Sequence, residues 1–255
     1  MIKKVLIVDD SALMRKHLRG ILENAGFEID IARNGEECLE KIPGFKPDVI
    51  TLDINMPVMD GITCLKLIMN KFPTPVVMVS SLTIKGALAT FEALELGALD
   101  YVPKPSGTVS SNMSESAELL VEKVTSASRT RVSSNSSFRN KIRIRNEKAG
   151  AQINASQQLK IAQPRRFSLS SRKKELVLIG VSTGGPGCLQ EILQNIPETF
   201  SVPIVVAQHM PARFTEVFAE RLDKLCKLSV HEVNKPMVLE SGNVYIARGD
   251  ADVKI

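Results

Sequence analysis

Apolar and amphipathic stretches alternate regularly from residue 1 to about residue 105. The segment KKVLIVDD is typical of a buried strand that ends in acids, and SALMRKHLRGILENAG indicates a helix with apolar residues near helical spacing. Further strands follow in alternation with helices, in FEIDIA, DVITLDI, TPVVMVSS and ALDYVPKP. Strands separated by helices favour parallel pairing with right-handed crossovers, so the pattern predicts a doubly wound α/β sheet.

After a break rich in Pro, Ser and Gly at 103–107, the apolar residues between Ser116 and Val124 predict one more helix. The alternation stops at about residue 128 and resumes at about residue 174. The segment between is rich in Ser, Asn, Gln and Arg and poor in aromatic residues, which predicts a flexible linker because it cannot bury enough apolar surface to fold. After it, KELVLIGV, VPIVVAQ, LSVHEV and NVYIAR indicate strands, and PGCLQEILQNI and TEVFAERLDKL indicate helices. We therefore predict a domain at 1–127, a linker at 128–173 and a second parallel α/β domain at 174–255, which is small for its class.

The formal net charge of +5 is concentrated in the predicted linker. Between Arg129 and Lys174 the chain has 13 Lys and Arg residues and a single acid, Glu147, whereas both flanking regions lean acidic. The linker shows no helix-turn-helix pattern and supports no more than non-specific attraction to phosphates. We therefore expect no sequence-specific nucleic acid partner.

Composition also bounds the redox chemistry and the location. The four cysteines form no C-x-x-C pair, so we expect buried free thiols rather than a zinc site or disulfides. No apolar run reaches the ~18 residues of a membrane span, and the start MIKKVLIVDD lacks the apolar region of a secretory signal. We expect a cytoplasmic location without membrane insertion.

Five polar residues fall at the ends of predicted strands in the first domain. Asp9 and Asp10 follow the first strand, Asp53 ends the third, Ser80 ends the fourth and Lys104 follows the fifth. They converge if the first and third strands are neighbours, because ligands of parallel sheets bind at the carboxyl ends of strands. The carboxylates would suit Mg²⁺, and with the Lys and the hydroxyl they predict phosphoryl transfer onto Asp53. The alternative is that the acids merely cap the helices that follow.

These positions lie in four segments, VDDS, DINMPVMDG, VMVSS and YVPKP, which together resemble the response-regulator receiver domain over nearly all of residues 1–127. The resemblance implies a flavodoxin-like fold, Asp53 as the phospho-acceptor, a histidine kinase as phosphodonor, and Mg²⁺ as cofactor. It further implies the roles of the remaining residues: metal binding for Asp9, Asp10, Asp53 and the backbone carbonyl of Asn55, a switch for Ser80 and Tyr101, and a phosphoryl contact for Lys104.

A different chemistry is suggested by GVSTGGPG in the second domain. Ser182 follows a buried strand and precedes a helix, where backbone N–H groups can stabilise an oxyanion, and Gly184 and Gly185 would let a substrate approach the backbone. The segment alone is weak evidence, since it could equally bind phosphate or form a structural turn. His209, however, follows the next strand, so that both side chains leave the same edge of the sheet. A Ser and a His in this relation favour acyl transfer.

The segments GVSTGGP, VAQHMPARFT and NVYIARGD resemble the chemotaxis protein-glutamate methylesterase family, and the order of receiver, linker and esterase matches that family over the whole chain. The resemblance implies a serine hydrolase without a cofactor in the esterase domain. Its substrates would be glutamate methyl esters, and certain glutamines, of methyl-accepting chemoreceptors. Ser182 would be the nucleophile and His209 the base, with Thr183 beside the nucleophile to assist the oxyanion.

One departure from the family concerns its third triad residue, an Asp in a Gly-rich segment that has no counterpart up to Ile255. We therefore expect an incomplete esterase domain, truncated at the C-terminus. Two hypotheses remain open. In the first, the receiver covers the esterase edge until Asp53 is phosphorylated. In the second, the chain is a non-enzymatic phospho-receiver that only binds partners.

Overall fold

The computed structural model describes residues 2–81, 83–104, 110–130 and 175–255. The predicted linker at 128–173 lies almost wholly outside the described residues. The described parts form two parallel sheets, of five and four strands. This agrees with the α/β class predicted for both regions.

The first sheet has the order β2-β1-β3-β4-β5, and all its strands run parallel. Its strands are β1 Lys4–Val8, β2 Glu28–Ala32, β3 Val49–Asp53, β4 Val76–Ser80 and β5 Asp100–Pro103. Its helices are α1 Ala12–Asn24, α2 Gly35–Phe45, α3 Gly61–Lys71, α4 Ile84–Leu96 and α5 Ser110–Arg129. Every residue of β3 and β4 is buried, as expected for central strands covered by helices on both faces.

Helix α5 is longer than the stretch from Ser116 to Val124 that its apolar stripe predicts. Leu120, Val124 and Ala127 all pack into the core beside the first sheet, so burial continues for one turn past the predicted end. Tertiary packing supplies most of the stability of such a helix, which explains why its polar flanks also take helical structure.

The second sheet has the order β6-β7-β9-β8 and is also parallel. Its elements are β6 Val177–Val181, α6 Gly185–Gln194, β7 Ile204–Gln208, α7 Ala212–Leu225, β8 Ser229–Val233 and β9 Asn243–Ala247. The register pairs Leu178 with Val205 and Gly180 with Ala207, so these residues share one face of the sheet. That face is open at β6, where Leu178 is 64% exposed. The first sheet has no comparable opening in its central strands.

The two domains contact each other through helix α4 of the first and helices α6 and α7 of the second. The ring of Phe91 stacks on Phe218 with centroids 5.2 Å apart, and the ring of Tyr101 stacks on Phe214 at 4.6 Å. At the rim, Glu95 pairs with Arg221 and accepts a hydrogen bond of 2.9 Å from the Gln190 amide. The buried aromatic rings make the two cores one continuous apolar cluster.

The structure also bears on the expectations drawn from composition. Cys38 and Cys64 are buried free thiols as predicted, but the prediction is wrong for Cys188, which is exposed, and Cys226, which is half-buried. Cys188 lies on the outer face of α6, where helix periodicity turns one residue in two or three toward solvent. Among the helices that the structure describes, none is both long and apolar enough to cross a membrane.

Candidate functional site

The predicted acidic residues of the first domain meet at the carboxyl edge of its sheet. Because β1 pairs with β3 and places Val8 opposite Leu52, Asp9, Asp10 and Asp53 come together. One carboxylate oxygen from each lies within 4.8 Å of the other two, and we call these three residues the acidic cluster. Asp9 and Asp53 are buried, whereas Asp10 is exposed.

Lys104 neutralises part of this charge. Its Nζ lies 3.0 Å from Asp9 Oδ2 and 2.7 Å from Asp53 Oδ2. Burial raises the pKa of Asp53 and Asp9 adds to the effect, while Lys104 opposes it, and the pKa of Asp53 stays above its usual range. Burial alone would lower the pKa of Lys104, but its two carboxylate partners outweigh that and raise it.

The donor set of the acidic cluster fits a hard divalent cation. Asp9 Oδ2 and Asp53 Oδ2 are buried and accept no hydrogen bond of good geometry, so their contact with Lys104 is an ion pair that leaves lone pairs free. Carboxylate oxygens of this kind are the ligands that Mg²⁺ takes in proteins. Asn55, whose backbone carbonyl was predicted as a further ligand, lies in the loop that leaves β3 two residues beyond Asp53.

The residues of the acidic cluster do not cap helices α1 to α4, which was the alternative interpretation. The hydroxyl of Ser11 and the side chains of Asn34, Asp60 and Thr83 cap α1, α2, α3 and α4. Asp9 and Asp53 instead accept hydrogen bonds from the backbone N–H groups of Ser11 and Ile54, at 2.8 and 2.7 Å. The carboxylates are therefore fixed in place by the loops after β1 and β3.

Ser80 and Tyr101, the predicted switch residues, lie in neighbouring strands but face different surroundings. The Ser80 hydroxyl donates to the carbonyl of Gly86 in α4 at 3.2 Å, and the backbone N–H of Lys104 donates to Ser80 at 2.7 Å. Tyr101 points to the second domain and packs on Phe214. Within the described residues its buried hydroxyl has no hydrogen-bond partner. Burial, followed by the charges of Asp100 and Asp250, raises the pKa of Tyr101 well above its ordinary value.

The second sheet brings Ser182 and His209 side by side. The register pairs Val181 with Gln208, and the backbone N–H of His209 donates to the Val181 carbonyl at 3.2 Å. Ser182 is half-buried and His209 is exposed. In the part of the chain that the structure describes, no hydrogen bond joins the two side chains and no carboxylate accepts from the imidazole. The predicted neighbours are adjacent, therefore, but not yet in a hydrogen-bonded geometry.

Glycine is required at the two positions after Thr183 for different physical reasons. Gly184 has φ of +76°, a left-handed conformation that favours glycine, and it precedes helix α6. Gly185 is buried, and a Cβ there would lie 2.0 Å from Gln208 Oε1. The prediction assigned both glycines to substrate approach, whereas Gly185 is needed for packing on Gln208. Half-buried Thr183 completes this segment, Ser182–Gly185, which we call the glycine turn.

Two features of these sites were not predicted from the sequence. The first is the side chain of Gln208, which lies under the glycine turn. The second is Phe214, in the first turn of α7, which contacts the receiver residue Tyr101. A polar residue at the last position of a buried strand and an aromatic residue on an amphipathic helix were the available signals. Neither signal specifies a partner.

Comparisons with known proteins match both regions of the chain. A family model described as "Response regulator receiver domain" matches residues 5–110, and one described as "CheB methylesterase" matches residues 177–255. A protein-glutamate methylesterase/protein-glutamine glutaminase of Rhodospirillum rubrum is 52% identical over 257 residues, which cover 99% of this chain and 67% of that protein. Relatives with the same description from Carboxydothermus hydrogenoformans and Vibrio cholerae are 47% and 44% identical, and 68% and 66% of their lengths are covered.

The chain spans about two thirds of the length of these curated relatives. The similarity extends through the receiver region, the predicted linker and the region with the Ser182–His209 pair, since it covers 98% or more of this chain in all three. The chain therefore belongs to the family of protein-glutamate methylesterases/protein-glutamine glutaminases, with a response-regulator receiver domain preceding its methylesterase region.

Proposed function

We propose that this chain is a phosphorylation-regulated hydrolase of chemotaxis adaptation, which demethylates glutamate methyl esters and deamidates glutamines on chemoreceptors. The observation that carries the proposal is the placement of Ser182 and His209 at the ends of adjacent parallel strands, with Val181 hydrogen-bonded to the backbone of His209. A nucleophile and a base must come within hydrogen-bond reach of each other, and adjacent strand ends place their backbones side by side.

In the proposed reaction Ser182 Oγ attacks the carbonyl carbon of the glutamate side chain while His209 accepts the hydroxyl proton. The oxyanion forms near Thr183 and the N-terminus of α6, where backbone N–H groups and the helix dipole favour negative charge. His209 then returns the proton to the leaving methanol or ammonia, and water releases Ser182 by the reverse steps. Because no described carboxylate orients His209, we expect a rate lower by about 10⁴ than a complete triad gives.

In the receiver, Asp53 is the proposed phospho-acceptor, and Lys104 would contact the phosphoryl oxygens. Asp9, Asp10, Asp53 and the Asn55 carbonyl would hold Mg²⁺, which when bound offsets the charge of the incoming phosphoryl group. The buried carboxylate pair and its contact with Lys104 support this proposal, because a dianionic phosphoryl group needs additional positive charge at the same edge.

The contact between domains supports phosphorylation-dependent gating. Helix α7 begins three residues after His209, and its first turn holds Phe214 against Tyr101 of the receiver. Phosphorylation of Asp53 would move Ser80 and Tyr101, and a moved Tyr101 can no longer stack on Phe214. Since His209 is exposed although the domains are docked, we propose that the receiver acts on the helices beside the pair rather than by burying the imidazole.

The partners and the location follow from the same proposal. A chemotaxis histidine kinase would donate the phosphoryl group, and methyl-accepting chemoreceptors would supply the substrate. Both interactions would take place in the cytoplasm.

Methanol release from methylated chemoreceptor fragments tests the nucleophile. We expect Ser182→Ala to abolish release above background, because it removes the hydroxyl that attacks the ester in the proposed reaction. Ser201→Ala is the matched control, since it changes an exposed serine in the loop before β7. Full activity of Ser182→Ala would contradict the proposed nucleophile. Binding of receptor or kinase without any hydrolysis by the unaltered chain would favour the non-enzymatic regulator instead.

A further inference from the structure

The side chain of Gln208 connects the two residues of the proposed active site. It ends strand β7, is only 6% exposed, and lies between the glycine turn and the start of the loop that carries His209. Its Nε2 donates to the backbone carbonyl of Ser182 at 3.1 Å and to that of His209 at 3.3 Å. One amide nitrogen thus bonds both residues of the pair.

The orientation of this amide follows from its neighbours. Two carbonyl oxygens surround Nε2, and a carbonyl oxygen can only accept, so the donor end of the amide must face them. The other end, Oε1, is buried and has no hydrogen-bond partner within the described residues. It lies against Gly185, where the absence of a Cβ leaves room for it.

From these contacts we infer that Gln208 is a positioning residue, which fixes the distance between Ser182 and His209 by bonding the backbone of both; the inference rests on the proposed function of that pair. The Ser182 carbonyl also accepts from the Gly185 N–H at 2.9 Å, so Gln208 closes a ring of contacts around the glycine turn. Without the amide, the described links between the glycine turn and the strand end carrying His209 are the pairing of β6 with β7 and the bond from His209 to Val181, and none of these contacts the turn itself. Gly184 and Gly185 give the turn little stiffness of its own.

Two substitutions perturb this arrangement by different routes. Gln208→Met keeps the length and volume of the side chain but removes both hydrogen bonds. Gly185→Ala keeps the amide but introduces a methyl group where Oε1 now lies. The matched control is Gln194→Met, the same chemical change at the end of α6, away from the pair.

The experiment combines amide hydrogen exchange with labelling by a fluorophosphonate, a probe of serine nucleophiles, on the full chain. In the labelling step Ser182 Oγ forms a bond to phosphorus, fluoride leaves, and His209 takes the hydroxyl proton. For Gln208→Met and Gly185→Ala we expect exchange at the Gly185 and His209 amides to accelerate at least tenfold, while exchange in β8 and β9 is unchanged. We expect the maximal labelling rate to fall roughly 10- to 100-fold, with an unchanged probe concentration at half-saturation.

A merely structural role gives a different pattern. Exchange would then accelerate throughout the second domain, and a smaller fraction of protein would be labelled at the original rate. Unchanged exchange at Gly185 and His209 would overturn the inference, and so would local acceleration without slower labelling. If Ser182 of the unaltered chain takes no label at all, the proposed function fails, and the exchange measurement by itself decides whether Gln208 fixes the turn.

Discussion

Both parallel sheets carry their candidate functional residues at the carboxyl edge, but the surrounding groups that hold these residues differ. At the carboxyl edge of the first sheet, Asp9 and Asp53 are buried and an ammonium group contacts both. At the edge of the second sheet, Ser182 and His209 are only partly covered, and backbone hydrogen bonds and one amide side chain fix the turn between them. The first arrangement is electrostatic, and the second depends on backbone geometry.

This difference indicates which changes each region tolerates. Removing one partner of a buried ion pair leaves an uncompensated charge, so we expect the stability of the receiver to fall strongly when such a charge is removed. A turn held by neutral hydrogen bonds should respond to backbone and volume changes instead. The two domains meet at the aromatic contact between α4, β5 and α7, where we propose that the two arrangements are coupled.

The largest expected effect comes from breaking a buried ion pair of the receiver. Lys123 Nζ donates to Asp100 Oδ1 at 2.8 Å, and both residues are buried. Lys123→Met leaves the Asp100 carboxylate without its cation and should lower the free energy of unfolding by about 3–5 kcal/mol. Chemical denaturation measures this. Lys224→Met, at an exposed position of α7, should change it by less than about 0.5 kcal/mol. Equal losses of unfolding free energy in the two variants would contradict the claim that the first domain depends on buried charge pairs.

A second substitution separates the two regions. Phe214 is completely buried between Tyr101 and Phe91, so Phe214→Ala should destabilise the docked arrangement by about 3 kcal/mol or more. Small-angle scattering should then report an expanded molecule, and methanol release without phosphodonor should rise. Leu225→Ala, on the exposed side of the same helix, serves as control. A compact variant with unchanged activity would mean that this contact does not join the domains functionally.

The sequence predicted the strands and helices, and which residues lie together at the two sheet edges, but not the contacts between the domains. Strand ends are readable because apolar runs stop at Asp9, Asp53, Ser80 and Ser182, and parallel topology then gathers them at common edges. The pairing of Phe91 with Phe218 could not be read in this way, because periodicity identifies the apolar face of a helix but not what covers it. The same limit applies to Gln208, whose partners are backbone carbonyls, which every residue possesses.

The hydroxyl of Tyr101 gives the contact a pH dependence. The pKa of Tyr101 is raised when the domains are docked. In the undocked state the Tyr101 hydroxyl is exposed and ionises near pH 10, whereas in the docked state it still keeps its proton at that pH. Tyr101 therefore contributes fully to the free energy of docking below about pH 10, and this contribution is lost as the pH rises beyond that value. Tyr101→Phe should remove this loss and, by deleting a buried hydroxyl without a partner, stabilise docking by about 1 kcal/mol. Thermal unfolding between about pH 8 and pH 11 tests the prediction. An unaltered pH profile in Tyr101→Phe would refute it.

The smallest effects concern two residues with a left-handed backbone conformation, Val58 in the first domain and Gly184 in the second. Val58 in the loop after β3 has φ of 67°, an unfavourable conformation for a β-branched residue, whereas Gly184 has φ of 76°. Val58→Asn should therefore stabilise the receiver by about 1 kcal/mol, and Gly184→Ala should destabilise the second domain by a similar amount. Denaturation midpoints of both variants are the measurement, and shifts of the same sign would contradict this assignment of strain.

The most direct test of the account is the response of the esterase to phosphorylation of the receiver. Methanol release from methylated receptor fragments is measured with and without a small-molecule phosphodonor, for the unaltered chain and for Asp53→Asn. The account predicts a rise of roughly 5- to 150-fold in the unaltered chain, the range typical of coupled sites, and no rise in Asp53→Asn. Equal rates with and without phosphodonor in the unaltered chain would contradict it.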